Sequence, residues 1–205
     1  MTGSMKIAVC LAALVTMGGS AAAQPVRVVA LGDSNTAGFG VATAEAFPAR
    51  LEATLRAMGV DVQVSNAGIS GDTTAGMLNR LDRAVPEGTQ IAIVQGGYND
   101  LRRGSSRAAV AANVEAIVSR LRARQVQVIL CGFYDEPWDV LARRHRAVHV
   151  PSSSCYDAAN RGWDGLHMNA AGHRVVTERL VPVVQRLITP VRDRRRWTSG
   201  QGTTR

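Results

Sequence analysis

The stretch that decides the fold is Val26-Arg27-Val28-Val29-Ala30-Leu31-Gly32-Asp33-Ser34. It begins with an apolar, largely β-branched run, which is typical of a buried strand. Glycine ends the run, and the polar pair Asp33-Ser34 follows at once. The pattern predicts a strand that ends at the edge of a sheet and presents a hydroxyl group there.

Short apolar runs alternate with longer amphipathic segments along the rest of the chain. The predicted strands are Val26–Leu31, Val60–Ser65, Gln90–Gln95, Val126–Cys131 and Ala147–Val150. The predicted helices are Ala44–Met58, Thr73–Ala84, Ser106–Arg124, Glu136–Arg146 and Ala170–Leu187. This alternation predicts an α/β fold, a three-layer α/β/α sandwich around a parallel sheet of roughly five strands.

Each of the first three strands is followed by a turn that contains glycine. These turns are Gly32–Gly38, Asn66–Asp72 and Gly96–Asp100. Because the carboxyl ends of parallel strands meet at one edge of a sheet, we expect the turns to converge. The backbone N–H groups of Ser34 and Gly68 and the side-chain amide of Asn99 would then face one developing negative charge, as in an oxyanion hole.

The segment Asp164-Gly165-Leu166-His167 places a carboxylate and an imidazole three residues apart near the end of the chain. Together with Ser34, these groups supply a nucleophile, a base and an acid that orients the base. That set is the minimum for acyl transfer through a covalent intermediate. The sequence therefore predicts a serine hydrolase, although Ser34 lies outside any Gly-x-Ser-x-Gly elbow of the α/β-hydrolase type.

These motifs together resemble the SGNH hydrolases, also called the GDSL esterase/lipase family. The matching residues are Ser34 in Gly-Asp-Ser, Gly68 in the second turn, Asn99 in Gly-Tyr-Asn-Asp and His167 in Asp-Gly-Leu-His. The chain is most similar to the small periplasmic acyl thioesterase, lysophospholipase and arylesterase branch. The resemblance implies a flavodoxin-like fold, Ser34 as nucleophile, His167 as general base and Asp164 as its orienting acid. It implies neither a metal nor a cofactor.

The segment Gly132–Arg146 departs from the family pattern, because it is short for the thioesterase-like branch. This difference favours short acyl groups over a long acyl groove. The aromatic and proline residues of the segment either line the site or belong to the core. They are Phe133, Tyr134, Pro137 and Trp138.

Other polar residues near the motifs are better explained by structure than by chemistry. Asp33 and Asp100 are predicted to brace their turns through hydrogen bonds. Asp72 precedes the helix predicted from Thr73, which indicates an N-cap. His173 is predicted to pack or to cap a helix, since it lacks the further ligands that a zinc site needs.

The composition of the sequence divides the chain into three segments. Residues 1–23 contain Lys6, the apolar run Ile7–Met17 and small residues up to Ala23, which predicts a secretory signal peptide cleaved near Ala23. Residues 24–189 form the predicted hydrolase domain. Residues 190–205 are predicted to be a basic, disordered tail. The expected location is the periplasm or the medium.

Two cysteines, Cys131 and Cys155, follow the predicted signal peptide. In an oxidising compartment such a pair either closes a disulfide or remains as two separate buried thiols. The formal net charge of +8 predicts peripheral attraction to anionic surfaces. Aromatic residues make up 4% of the chain, and no nucleic-acid motif is present, so nucleic acid is not an expected partner.

The sequence supports three functional hypotheses. The first is an exported serine esterase that hydrolyses short-chain carboxylic esters, with thioesters and lysophospholipids as related substrates, through a seryl-acyl intermediate. The second is a carbohydrate or cell-wall O-acetyl esterase. The third is a catalytically silent binding protein on the same fold. An enzyme is favoured over a binding protein because the chain has all five residues of the motifs: Ser34, Asp164, His167, Gly68 and Asn99. The oligomeric state is left open.

Overall fold

A computed structural model describes residues 24–132 and 138–198, with the backbone alone for residues 190–198. The predictions for residues 1–23, for Phe133, Tyr134 and Pro137, and for residues 199–205 lie outside the described residues. Within the described part of the chain, no helix is long and apolar enough to cross a membrane.

The centre of the fold is a five-stranded sheet in the order β2-β1-β3-β4-β5. The strands are β1 Val26–Gly32, β2 Val62–Gly68, β3 Ile91–Val94, β4 Gln127–Cys131 and β5 Val148–Val150. All neighbouring strands are parallel. The order is that of flavodoxin-like sheets, in which ligands bind where the strand order reverses, here between β1 and β3. The predicted α/β fold with a parallel sheet is therefore confirmed.

Helices cover both faces of the sheet. They are α1 Ser34–Ala37, α2 Phe47–Ala57, α3 Thr74–Asn79, α4 Leu81–Ala84, α5 Tyr98–Arg102, α6 Arg107–Ala123, α7 Trp138–Arg144 and α8 Ala170–Thr198. One core cluster joins α2 and α8 to the sheet, and a second joins α3, α4, α6 and α7 to the opposite face. The second cluster includes the buried apolar residues of α6, which are Val110, Val114, Ile117, Val118 and Leu121.

Two predicted helices differ from those observed. The helix predicted over Thr73–Ala84 is divided at Arg80 into α3 and α4. The helix predicted to end near Leu187 continues to Thr198, past Pro190. Proline removes one backbone donor and normally ends a helix, but the arginine-rich residues that follow have high helix propensity.

A disulfide joins Cys131 at the end of β4 to Cys155, 24 residues later, with their Cα atoms 6.0 Å apart. Of the two alternatives left by the sequence, the structure contains the bridge. The bond connects the sheet to the irregular segment of residues 151–169, which we call the histidine loop because it contains His167. The loop is thus covalently held near its start.

Candidate active site

Ser34 is the first residue of the short helix α1, directly beyond the end of central strand β1. Asp33 caps this helix, because its Oδ1 accepts the Asn35 N–H at 3.0 Å. The predicted bracing role of Asp33 is confirmed. At the first position of a helix, the Ser34 N–H has no intrahelical partner, so it is available to a ligand.

The histidine loop brings His167 to this serine. His167 Nε2 lies 2.8 Å from Ser34 Oγ, and His167 Nδ1 lies 2.5 Å from Asp164 Oδ2. Asp164 Oδ1 also accepts the backbone N–H groups of Leu166 and His167, both at 2.9 Å. The three predicted catalytic residues are therefore joined in the order of a Ser-His-Asp relay.

The two aspartates of the site have opposite electrostatic environments. Hydrogen bonds from the His167 ring and from the backbone of His167 and Leu166 lower the pKa of Asp164 to about 2. Burial raises the pKa of Asp33 to about 6, although its hydrogen bond from Asn35 acts in the other direction. These hydrogen bonds thus favour the charged form of Asp164 beside the imidazole.

Asn99 lies in α5, at the carboxyl end of β3. Its Nδ2 donates to the backbone oxygen of Asp72 at 2.9 Å, so Asn99 contacts the turn that follows β2. The Gly68 N–H, however, already donates to Asn66 Oδ1 at 2.9 Å. A Cβ atom on Gly68 would lie 2.2 Å from the Ala37 nitrogen, so close packing alone explains this glycine.

Gly71 offers a second backbone donor on the same turn. It has a φ of 79°, a conformation that favours glycine. Its N–H forms no hydrogen bond within the described part of the chain. Its carbonyl oxygen accepts Arg103 Nη2 at 2.8 Å, which fixes the adjoining peptide. The sequence reasoning overlooked this residue in favour of Gly68.

Arg80 ties the turn after β2 to the turn after β1. Its Nε donates to Asp72 Oδ2 at 2.7 Å, and its Nη2 donates to the Gly32 carbonyl oxygen at 3.2 Å. The prediction that Asp72 is an N-cap is wrong, since Thr73 accepts the Gly76 N–H and caps α3. Asp72 instead binds Arg80, a partner eight positions away that the cap pattern did not consider.

The remaining sequence predictions near the site concern packing. Asp100 is buried and accepts the Thr74 N–H at 2.9 Å and the Thr74 hydroxyl at 2.6 Å, which confirms its bracing role. His173 is buried against Phe47, whose N–H it accepts at 3.3 Å, so its packing role is confirmed. Trp138 belongs to the core and not to the site.

Aromatic side chains beside His167 were not predicted from the sequence. The ring of Phe39 lies 4.5 Å from the imidazole, centroid to centroid, and Trp163 precedes Asp164 with 86% of its surface exposed. The position of Trp163 directly before the Asp-Gly-Leu-His motif could have indicated an aromatic side chain beside His167. Among the described residues, no group of three potential metal ligands is present.

A comparison with protein families agrees with the Ser-His-Asp geometry, because the matching family is one of hydrolases. The model of the GDSL-like lipase/acylhydrolase family matches residues 30–175. The chain belongs to this family. The match includes Ser34, Asn99, Asp164 and His167, and the predicted family is therefore confirmed.

Curated relatives and solved structures agree with this assignment. The chain is 38% identical over 129 residues to "Esterase TesA" of Pseudomonas aeruginosa, covering 62% of this chain and 63% of that protein. It is 32% identical over 105 residues to "Arylesterase" of Vibrio mimicus, covering 51% and 52%. The aligned regions thus span somewhat more than half of each relative.

Among solved structures, AlinE4, described as an SGNH-hydrolase family esterase, superimposes with a TM-score of 0.62 at 30% identity, covering 80% of this chain and 97% of that one. The crystal structure of TesA gives 0.69 at 26% identity, covering 78% and 99%. These likenesses confirm the predicted SGNH hydrolase fold.

Proposed function

We propose that the protein is a serine esterase that hydrolyses short-chain carboxylic esters through a seryl-acyl intermediate. The observation that carries this proposal is the continuous contact from Ser34 Oγ through the His167 ring to Asp164. The family membership and the names of the relatives, an esterase and an arylesterase, support it.

The reaction proceeds in two halves. Ser34 Oγ attacks the ester carbonyl carbon while His167 Nε2 takes the hydroxyl proton, and Asp164 stabilises the imidazolium that forms. The tetrahedral adduct then expels the leaving-group oxygen, which receives that proton from His167. A water molecule repeats the attack on the acyl-enzyme with His167 as base, which releases the acid and restores Ser34.

The oxyanion is held by the Ser34 N–H, by the Asn99 side chain and by one amide of the turn after β2. The sequence favoured Gly68 for the third donor. The existing bond from the Gly68 N–H to Asn66 argues for Gly71 instead, whose N–H is free within the described residues. One well-placed donor is worth about 3–4 kcal/mol in the transition state.

The compartment belongs to the same proposal. The charged start, apolar run and small residues of segment 1–23 have the pattern of a secretory signal, and the Cys131–Cys155 bond is typical of exported proteins. We therefore infer a location in the periplasm or the medium, where the substrates would be exogenous esters. Thioesters and lysophospholipids are secondary candidates.

The test is hydrolysis of p-nitrophenyl esters from acetate to palmitate by the wild type, by Ser34→Ala and by Ser65→Ala. Ser65 is exposed on β2 and serves as a matched control for loss of a hydroxyl group. We expect turnover of the short esters that is lost only in Ser34→Ala. A fluorophosphonate should label Ser34, as read by peptide mass.

Each other outcome points to a different function. A maximum at long chains would replace the short-chain esterase with a lipase or thioesterase. Labelling of Ser34 without turnover of any p-nitrophenyl ester would favour the O-acetyl esterase of carbohydrate or cell wall. Neither labelling nor turnover would contradict an enzyme and favour a silent binding protein.

A further inference from the structure

A cavity of about 280 Å³ opens beside the catalytic histidine. Its walls include Phe39, Trp163, Glu45 and the relay residues Asp164 and His167. The volume lies just below the range of pockets that hold drug-sized ligands, so the cavity suits a group of about one ring. His167 lines this space and also contacts Ser34 Oγ at 2.8 Å.

Trp163 stands out because it is 86% exposed, whereas tryptophan is usually among the most buried residues. Phe39, which also lines the cavity, is 42% exposed. Gly40 faces Trp163, and a Cβ atom there would lie 4.0 Å from the indole nitrogen. Both aromatic side chains therefore line the open space of the cavity.

The position of the cavity decides which half of an ester it receives. His167 must protonate the leaving-group oxygen, so the group attached to that oxygen passes the imidazole. The cavity is lined by His167, but by none of the proposed oxyanion donors at Ser34, Asn99 and the turn after β2. Resting on the proposed esterase function, we propose that this cavity binds an aromatic leaving group, with Trp163 as its specificity-determining residue.

The charged side chains of the cavity favour some leaving groups over others. Glu45 contributes a carboxylate to the cavity, held by the Ala42 N–H at 3.1 Å, and Asp164 contributes a second. The cavity is thus locally acidic in a chain of formal net charge +8. A phenolic leaving group that is neutral or cationic fits this environment, since aromatic rings attract cations, whereas an anionic one is repelled.

The first experiment compares an aryl ester with an alkyl ester of the same acid. Phenyl acetate and trifluoroethyl acetate give the same acetyl-enzyme, and kcat/KM covers only binding and acylation, so a difference between the two esters reports on the leaving group. We expect Trp163→Ala to lower kcat/KM about fivefold for phenyl acetate and less than twofold for trifluoroethyl acetate. Trp163→Phe should restore most of the loss.

The control is Val140→Ala, which removes an exposed apolar side chain of α7, outside the cavity. It should leave both esters unchanged. Equal losses on both esters in Trp163→Ala, or no loss on either, would overturn the aromatic subsite while leaving the esterase intact. Absence of turnover in the wild type would overturn the proposed function itself, and the subsite with it.

A second arm tests the charge of the cavity. Glu45→Gln keeps an acceptor for the Ala42 N–H and removes the negative charge. We expect kcat/KM for p-carboxyphenyl acetate to rise about threefold and that for p-trimethylammoniophenyl acetate to fall similarly, with a smaller change for phenyl acetate than for either charged ester. The ratio of variant to wild type on each ester cancels the ester's intrinsic reactivity. Parallel changes on all three esters would contradict the assignment.

Discussion

The two halves of the proposed catalytic relay are positioned by different means. Ser34 follows β1, which lies between β2 and β3 within the sheet, and its turn packs directly against the end of β2. His167 lies in the histidine loop, where the Cys131–Cys155 bond and a hydrogen bond from Tyr156 to Leu166 replace the support of a sheet. The proposed nucleophile is thus placed by a strand of the sheet, whereas the proposed base is placed by an irregular loop whose contacts include the buried core residue Met168.

The same contrast appears in the two aspartates. Asp33, beside the nucleophile, is 2% exposed and has a pKa raised to about 6. Asp164, beside the base, has a pKa lowered to about 2 by its hydrogen bonds. Burial without enough donors destabilises a carboxylate, whereas donors without deep burial stabilise one. The motif Gly-Asp-Ser therefore places its aspartate where charge is unfavourable.

The largest effect is expected from removing the negative charge of Asp164, which contacts His167. Asp164→Asn should lower kcat by about 1,000-fold or more, because an amide presents a donor to Nδ1 and stabilises the wrong tautomer. The control is Asp157→Asn, in the same loop, which loses the contact with Arg179. Steady-state kinetics should show that it retains most of its kcat, and equal losses in both would mean that Asp164 acts through loop structure alone.

Removing the disulfide should affect stability more than the chemical step. The double variant Cys131→Ser, Cys155→Ser releases a closed loop of 24 residues. Its free energy of unfolding should fall by about 3 kcal/mol, measured by urea denaturation. If the histidine loop is held mainly by this disulfide, KM should rise and kcat should fall at temperatures where the sheet remains folded. Unchanged stability would show that the noncovalent contacts of the loop suffice.

Acid should weaken the packing of His173 against Phe47. Burial and the nearby Arg50 lower the pKa of His173 from 6.5 to about 4. Between these values the unfolded chain binds more protons, so the contribution of His173 is fully present above pH 6.5 and is lost as the pH falls towards 4. The loss is ~2–3 kcal/mol, and in His173→Gln, measured by urea denaturation against pH, it should disappear.

Asp33 should contribute to the free energy of unfolding with the opposite dependence on pH, and Asp33→Asn should have a smaller effect. The raised pKa of Asp33 means that the folded state binds more protons between pH 3.8 and about 6, so its contribution falls as the pH rises through that range. The variant should be more stable at neutral pH by ~2 kcal/mol and retain the bond from Asn35. A less stable variant at pH 7 would contradict the assigned burial cost.

The sequence predicted those parts of the molecule that depend on local pattern. The strands were predictable because parallel strands buried on both faces form short apolar runs, and Ser34 and His167 because their motifs adjoin such elements. The role of the Gly71 N–H as a candidate donor was not predictable, because it depends on Asn66 Oδ1 accepting the competing N–H of Gly68. Nor was Arg80, whose contacts with Gly32 and Asp72 exist only after the turns converge.

Ser34 and His167 are separated by 133 positions in the chain. The base reaches the nucleophile only when the last part of the chain has docked, with α8 packed on α2. A nascent chain would therefore carry the proposed nucleophile long before the proposed base, and partly synthesised molecules would lack the proposed esterase activity. In refolding, the return of activity would report the final docking event, while circular dichroism would report helices and sheet that form earlier.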